Sequence, residues 1–358
     1  MTPRERIKKA LNHHQTDRVP IGYSATPEIN VNLKKYLKID SDEKLLQRLG
    51  VDYRWVTPGY KGPKNLLFED CWDKPGRDIW GVERKNATNA FGTYREISSY
   101  PLKDIEDASE LKKYPWPKIE WIDFDVIREN INKLEEENEY WIILNAMSGS
   151  VFEMAWYMRG MEQFLMDLLI NPEIATEICR KLYEFAIESI NSAIEASDGR
   201  IDMVFFADDI ASQESMLISV ETWRKMIKTW HKGFYENAHK HNAKTAYHSC
   251  GSIEPVINDL IEIGLDVLNP LQFSAKNFPS PEVLKKKYGE RISFMGGMDI
   301  QTKLPFYSPE EIKIETERLI KILGKDGGYI LQATHNIQPD TPPENIAAMH
   351  DTALNYFF

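Results

Sequence analysis

Apolar residues follow two rhythms along this chain. Short, nearly continuous apolar runs at 141–147, 203–210, 244–250, 267–272, 292–299 and 329–336 alternate with longer segments at 161–169, 172–196, 220–241, 253–263, 280–288 and 309–323. In the longer segments apolar positions recur every three or four residues, the period of a helix with one buried face. A run that is apolar at both odd and even positions is the mark of a strand covered on both sides, as in a parallel sheet. The alternation therefore predicts parallel strands wrapped by helices. Strands at 17–25, where Pro20 is tolerable only at an entrance or an edge, and at 53–57 bring the count to eight. Eight such units predict an α/β fold of the (β/α)8 TIM-barrel type, with a doubly wound sheet as the alternative. No Gly-x-Gly-x-x-Gly follows any strand, which weakens the dinucleotide-binding version of that alternative.

An opening helix is expected over 3–14, with Thr2 as N-cap and Pro3 at its first position, and a second over 45–53. From 59 to 120 the pattern changes to short aromatic runs punctuated by Pro-Gly, Gly-Pro and Tyr-Pro-Trp-Pro. This stretch reads as an insert of hairpins and loops, either a surface excursion or a lid. An acidic helix at 123–137 follows. The whole chain, 1–358, is expected to form one barrel domain with the insert inside it.

Composition narrows the function classes. With 44 Lys+Arg against 55 Asp+Glu, the formal net charge of -11 argues against a nucleic-acid or anionic-membrane surface and for a small-molecule partner. The three cysteines, Cys71, Cys179 and Cys250, have no paired spacing, so a reducing compartment is the natural reading. The start reads as a charged helix rather than a signal peptide, and no apolar run approaches the ~18 residues of a membrane span. The expectation is a cytoplasmic protein, with a homodimer as a candidate assembly.

In a barrel the chemistry gathers at the carboxyl ends of the strands. Tyr23, Ser24, Asn145, Asp208, Asp209, His248, Cys250, Asn269, Gln272, Asp299 and His335 all end apolar runs. His248 and Cys250 are two apart on a strand and point the same way. Gly251 then stops the strand, and Ser252 is expected to cap a helix with Pro255 in its first turn. In the run Tyr-Ile-Leu-Gln-Ala-Thr-His, residues 329, 331, 333 and 335 share a face, so the ring of His335 is expected to point toward the same axis. Zinc accepts Cys and His, and a catalytic site uses three protein ligands with a fourth position open. A buried histidine beside an inert thiol would give the same His-x-Cys spacing. Of Asp208 and Asp209, alternation turns one inward to orient a ligand, bind a cation or donate a proton. Tyr23, Asn145, Gln272 and Asp299 are candidate substrate contacts. His231, His239 and His241 are expected on the solvated face of a helix with Lys232 and Lys240. His13, His14 and His350 are expected at the periphery, and Cys71 and Cys179 have no ligand-type neighbours.

Several stretches together resemble the uroporphyrinogen decarboxylase superfamily. They are Ala10-Leu11 through Asp17-Arg18-Val19-Pro20, then Asp208-Asp209, the run from 239 to 270, Gly296-Gly297-Met298-Asp299, and His335 through Asp340 with Pro342 through Ile346. The resemblance implies the barrel fold. One branch decarboxylates uroporphyrinogen, which carries eight carboxylates, and has an arginine-rich segment after its Asp-Arg-Val-Pro strand. Here no arginine occurs between Arg18 and Arg48, so a polyanion lacks bidentate partners. The other branch comprises zinc methyltransferases that move a methyl group between a corrinoid, usually on a partner protein, and a thiol or similar acceptor. Their metal motif, His-x-Cys with a distant Cys, is matched in its first part by His248-Ser249-Cys250. No cysteine follows Cys250, and the third-ligand role passes to His335. The resemblance thus implies zinc on His248, Cys250 and His335, methylcobalamin or a corrinoid protein as co-substrate, and a small-molecule methyl donor or acceptor. Two further readings remain: a metal-independent decarboxylase with Asp208 or Asp209 as general acid, and a binding protein without turnover.

Overall fold

The computed structural model describes residues 1–68, 75–89, 92–146 and 149–358. Seven parallel strands run in chain order across one curled sheet: β1 (Tyr53–Val56), β2 (Trp141–Asn145), β3 (Met203–Ala207), β4 (Lys244–His248), β5 (Val267–Asn269), β6 (Ser293–Met298) and β7 (Tyr329–Ala333). Each apolar run thus supplies a strand, but the strands stop one to three residues before the runs do. Met147, the last residue of the run at 141–147, and Cys71 lie outside the described residues. Thirteen helices occur among the described residues. Pro172–Ala196 and Pro309–Leu323 match the periodicity, 220–241 breaks into Val220–Met226 and Lys228–Lys240, and 45–53 shifts to Asp42–Arg48. Helices at Pro27–Leu37, Phe152–Arg159 and Pro343–Asn355 add to those read from the pattern.

The segment expected as a strand at 17–25 contributes only bridges, at Ile21 and Ala25, because Pro20 withholds a donor and the pairing is intermittent. Those bridges join the two edges of the sheet. Gly22 N–H donates to Leu331 O at 2.8 Å, Leu331 N–H to Pro20 O at 2.9 Å, and Asp52 N–H to Ile21 O at 2.9 Å. A side chain at Gly22 would meet Gln332 Oε1 at 2.5 Å, so only glycine allows this approach. The architecture is that of a TIM-like barrel, with the helices outside and Trp223, Tyr235, Tyr247 and Phe294 among the largest fully buried side chains.

One device recurs at the end where strands begin. Asp52, Asp202 and Asp266, each just before a strand, accept backbone N–H groups of Ile21 (2.8 Å), Ile142 (2.9 Å) and Thr245 (2.9 Å) from the neighbouring strand. Each is also paired with a cation: Asp52 with Arg6 and Arg18, Asp202 with Arg4, and Asp266 with Lys244. The Asp17-Arg18-Val19-Pro20 motif is therefore part of the scaffold, with Arg18 bound to a carboxylate that is 1% exposed. The opening helix, Pro3–Leu11, carries the Thr2 cap completed by Glu5 as a capping box.

Between β1 and β2 lie antiparallel pieces: Gly59–Tyr60 pairs with Ile122–Asp123, and Glu83–Asn89 pairs with both Gly76–Arg77 and Gly92–Ser99. These strands form sheets of their own, separate from the parallel one. No described helix is long and apolar enough to cross a membrane.

Candidate metal centre

β4 ends at His248, and the chain then holds Cys250 in a loop fastened at every peptide. Ser249 N–H donates to Asn269 O (3.0 Å), Cys250 N–H to Asp209 Oδ1 (2.7 Å), and Gly251 N–H to Gln272 Oε1 (2.7 Å). Gly251 has φ +92°, and a Cβ there would lie 2.3 Å from Ser212 O, so both the conformation and the close approach require glycine. Ser252 does not cap a helix as expected: its hydroxyl donates to Lys276 O, and a 3₁₀ turn, Glu254–Val256, begins behind Ile253.

This loop places Cys250 Sγ 3.4 Å from His248 Nε2. His335 joins them, its ring centroid 5.5 Å from that of His248, and one ligand atom from each of the three lies within 4.8 Å of the others. Tetrahedral zinc, with Zn–N of about 2.0–2.1 Å and Zn–S of about 2.3 Å, asks for ligand separations of about 3.3–3.6 Å, which the Cys250–His248 pair already meets at 3.4 Å. The donor set fits a single cation with small side-chain adjustment. His335 arrives by a different route from the one alternation gives. The side chain of Gln332 meets Tyr53 Oη at 2.8 Å across the interior, which makes 330, 332 and 334 the inward set of β7. The strand ends at Ala333, and the bend through 334–336 turns His335 into the mouth.

The tautomer of His248 is fixed by its neighbour. Asn269 Nδ2 donates to Met295 O at 3.0 Å, a carbonyl that can only accept, so Asn269 Oδ1 faces His248 Nδ1 at 2.6 Å and takes its proton. Nε2 is left as a lone pair turned toward Cys250, the form a metal requires.

Around the three ligands burial raises the acidic groups. Burial, then the charges of Asp209 and Glu153, push the Cys250 thiol up to about 12. Burial and Asp209 raise Glu153 to about 7, with the Tyr157 hydroxyl bond pulling the other way. Asp209 is raised too, by burial first, against the opposing pull of His248 and the Cys250 N–H. Burial lowers His335 to about 4, although water reaches its ring from the open side. A cation among the ligands would reverse the penalty on the thiol.

The other singled-out residues divide. Asp209 and Gln272 hold the Cys250–Gly251 turn, and Asn145 ends β2 exposed. Asp208 points away. It is 0% exposed, and its two oxygens accept from Ser150 Oγ, from the N–H groups of Val151, Phe152 and Glu153, and from His231 Nε2 at 2.8 Å. It anchors the start of the helix Phe152–Arg159. His231 is thus buried rather than solvated, and His350, expected at the periphery, is also buried, with Nδ1 on Leu49 O. Tyr23 directs its hydroxyl to Asn30 and packs its ring on His350. Asp299 Oδ1 collects the N–H groups of Gln301, Thr302 and Lys303, which together outweigh its burial and keep it below the usual carboxylate range. Glu153 was not apparent from the sequence. It follows an apolar run in an irregular stretch, and only the anchoring of its helix by Asp208 brings it to the mouth.

A hollow of about 180 Å³ opens beside the ligands, lined by Cys250, His335, Gln272, Thr334, Gln213, Ile300 and Gln301.

Comparison with known proteins gives concordant results. The family described as uroporphyrinogen decarboxylase (URO-D) matches residues 92–356. A uroporphyrinogen decarboxylase of Coxiella burnetii is 22% identical over 312 residues, spanning 81% of this chain and 76% of that protein. One of Psychromonas ingrahamii is 30% identical over 76 residues, 20% of this chain and 21% of its own. Among solved structures, a methyltransferase from Methanosarcina mazei superposes with a TM-score of 0.67 at 18% identity, covering 99% of this chain and 98% of its own. At that identity the likeness speaks for the fold.

Proposed function

Because the chain belongs to the uroporphyrinogen decarboxylase (URO-D) family, we propose that it is a methyltransferase of that family, moving a methyl group between a corrinoid and a small molecule at a zinc held by His248, Cys250 and His335. The observation that carries this reading is the convergence of three soft or borderline donors, with the tautomer of one fixed by Asn269, at the carboxyl end of the sheet. A zinc held by these three residues would supply Lewis acidity, lowering the pKa of a bound thiol or hydroxyl toward neutrality. A corrinoid, either methylcobalamin or one carried by a partner protein, supplies the methyl carrier.

The chain's own groups do the rest. Asp209 holds the Cys250 peptide and with it the ligand turn. Glu153, its carboxyl poised near 7 and bonded to the Tyr157 hydroxyl, takes the proton that the acceptor releases. Asp208 positions Glu153 through the helix start and does not touch the reactants. Asn145 and Gln272 orient the small molecule. The stretch 59–120 is read as an insert that flanks the mouth, a view supported by Arg84, whose guanidinium lies 5.5 Å from the centroid of the Tyr157 ring.

The decarboxylase alternative relies on Asp208 or Asp209 as general acid and, for a polycarboxylate such as uroporphyrinogen, on cationic partners for several carboxylates. Arg18 is spent on Asp52, and Asp208, its first candidate acid, is enclosed. The test is an assay of zinc-loaded protein with methylcobalamin and a panel of thiol and hydroxyl acceptors, following loss of the methyl–cobalt absorbance. Turnover in wild type, abolished in Cys250→Ser, supports the proposal; turnover that is indifferent to Cys250 overturns it.

A further inference from the structure

Two polar side chains in the hollow beside the ligands have an end that nothing in the fold occupies. Gln272 is 7% exposed and Thr334 is 6% exposed, and both line the same space of about 180 Å³ as Cys250 and His335. Gln272 accepts the Gly251 N–H at 2.7 Å. That N–H can only donate, so the atom it meets is Oε1, and the amide nitrogen is turned the other way with two hydrogens to give. The Thr334 N–H is committed to Met298 O at 2.9 Å, which fixes the backbone that carries the hydroxyl. Neither Gln272 Nε2 nor the Thr334 hydroxyl has a partner among the described residues, yet neither is sealed off from the space around it. A nearly buried donor left unmet is a standing cost, removed when a ligand supplies an acceptor.

The rest of the lining, Gln213, Ile300 and Gln301, brings no lysine, arginine, aspartate or glutamate. Zinc, the Cys250 thiolate and the thiolate or alkoxide of an acceptor in the fourth position sum to zero charge, so a second anion would lack a counter-charge there. A cation would face the hydrogens of Nε2, and an apolar group would leave them unmet. An uncharged carbonyl suits the lining: its oxygen accepts from Gln272, and the N–H of an amide finds the Thr334 oxygen. A cavity of about 150 Å³ holds benzene, so this hollow suits a body of about six or seven non-hydrogen atoms. We propose that the small molecule received beside the metal is a compact neutral carbonyl compound of the amide class, its carbonyl on Gln272 and Thr334 and its thiol or hydroxyl at the open metal position. That this molecule is the methyl acceptor rests on the methyltransferase reading; the carbonyl subsite itself rests on Gln272 and Thr334.

The test is isothermal titration of zinc-loaded protein with four thiols of similar size, mercaptopropanamide, mercaptopropanoate, aminopropanethiol and isoamyl thiol, with zinc content measured on every sample. Wild type is expected to bind the amide on the order of tenfold more tightly than isoamyl thiol, and more tightly than mercaptopropanoate. Gln272→Glu keeps an oxygen for the Gly251 N–H and turns the free end from donor to acceptor. The amide's advantage should disappear there and aminopropanethiol should become the tightest ligand, a change within one series that cancels differences in thiol acidity. Thr334→Val, which keeps the shape and removes the hydroxyl, should reduce the advantage severalfold. Isoamyl thiol or mercaptopropanoate matching the amide in wild type would overturn the inference, as would an advantage undiminished in both variants. A preference in protein that transfers no methyl from methylcobalamin to any of these thiols upholds the subsite and defeats the methyltransferase reading. Transfer without a preference defeats this inference alone. Where no zinc is taken up, the same ratios in metal-free protein decide for or against the subsite in the same way.

Discussion

Replacing Asn269 by leucine isolates what the fold contributes to metal binding, because the side chain touches no ligand position except His248 Nδ1. Asn269 is 2% exposed, and its amide spans from His248 Nδ1 (2.6 Å) to Met295 O (3.0 Å). Leucine has similar volume and makes neither bond. The imidazole is then free to turn or to put its proton on Nε2. Loss of such a supporting partner costs about 10–100-fold in metal affinity, or about 1.4–2.7 kcal/mol. Leaving Met295 O buried and unpaired should further lower the stability of zinc-free protein by about 1–3 kcal/mol. Chelator competition measures the first quantity and denaturant titration the second. Asn269→Asp separates the two effects. Its carboxylate accepts from Nδ1 and makes the imidazole more basic, so zinc affinity should recover toward wild type while stability does not. A leucine variant that binds zinc as tightly as wild type would refute the tautomer argument.

Other consequences follow from the same geometry. Glu153 titrates near 7 in the folded chain against an ordinary 4.5, so its protonated form is favoured by folding. In metal-free protein that contribution is intact below about 4.5 and is lost as pH rises through 7, a fall of about 3 kcal/mol; Glu153→Gln should flatten this slope in urea titrations across that window. Asp208→Ala should lower stability by about 3–5 kcal/mol, because His231 and three helix-start N–H groups lose their acceptor, whereas Asp209→Asn should leave the melting temperature nearly unchanged and reduce kcat. Arg18→Met, which takes one of two cations from buried Asp52, should cost about 3 kcal/mol in urea unfolding with zinc affinity preserved.

The alternation of runs carried the sheet, since a strand covered on both faces leaves a continuous apolar stretch that no surface helix imitates. It also singled out His248 and Cys250, although the strand ends at His248 and it is the loop held by Asn269, Asp209 and Gln272, not strand alternation, that turns Cys250 back toward His248. His335 was named for a reason that the structure replaces: its parity is outward, and a bend beyond Ala333, which no local pattern specifies, delivers it. Alternation could say that one of Asp208 and Asp209 turns inward but not which, since that depends on the return of the chain at 150–153. His231 was misread although the signal was present. Residues 231, 234, 235 and 238 form a buried stripe, while the flanking lysines lie on the opposite face. Glu153 depends on tertiary placement, which carries no sequence mark. The strand at 17–25 failed locally, at Pro20, while the closure it was assigned to held through isolated bridges.

The central claim is a metal held by three side chains, and elemental mass spectrometry of the purified protein tests it directly. Wild type should carry about one zinc per chain, with Cys250→Ala and His335→Ala each losing it while retaining cooperative unfolding. Wild type that takes up no zinc when supplied with it, or variants that keep it undiminished, would contradict the account.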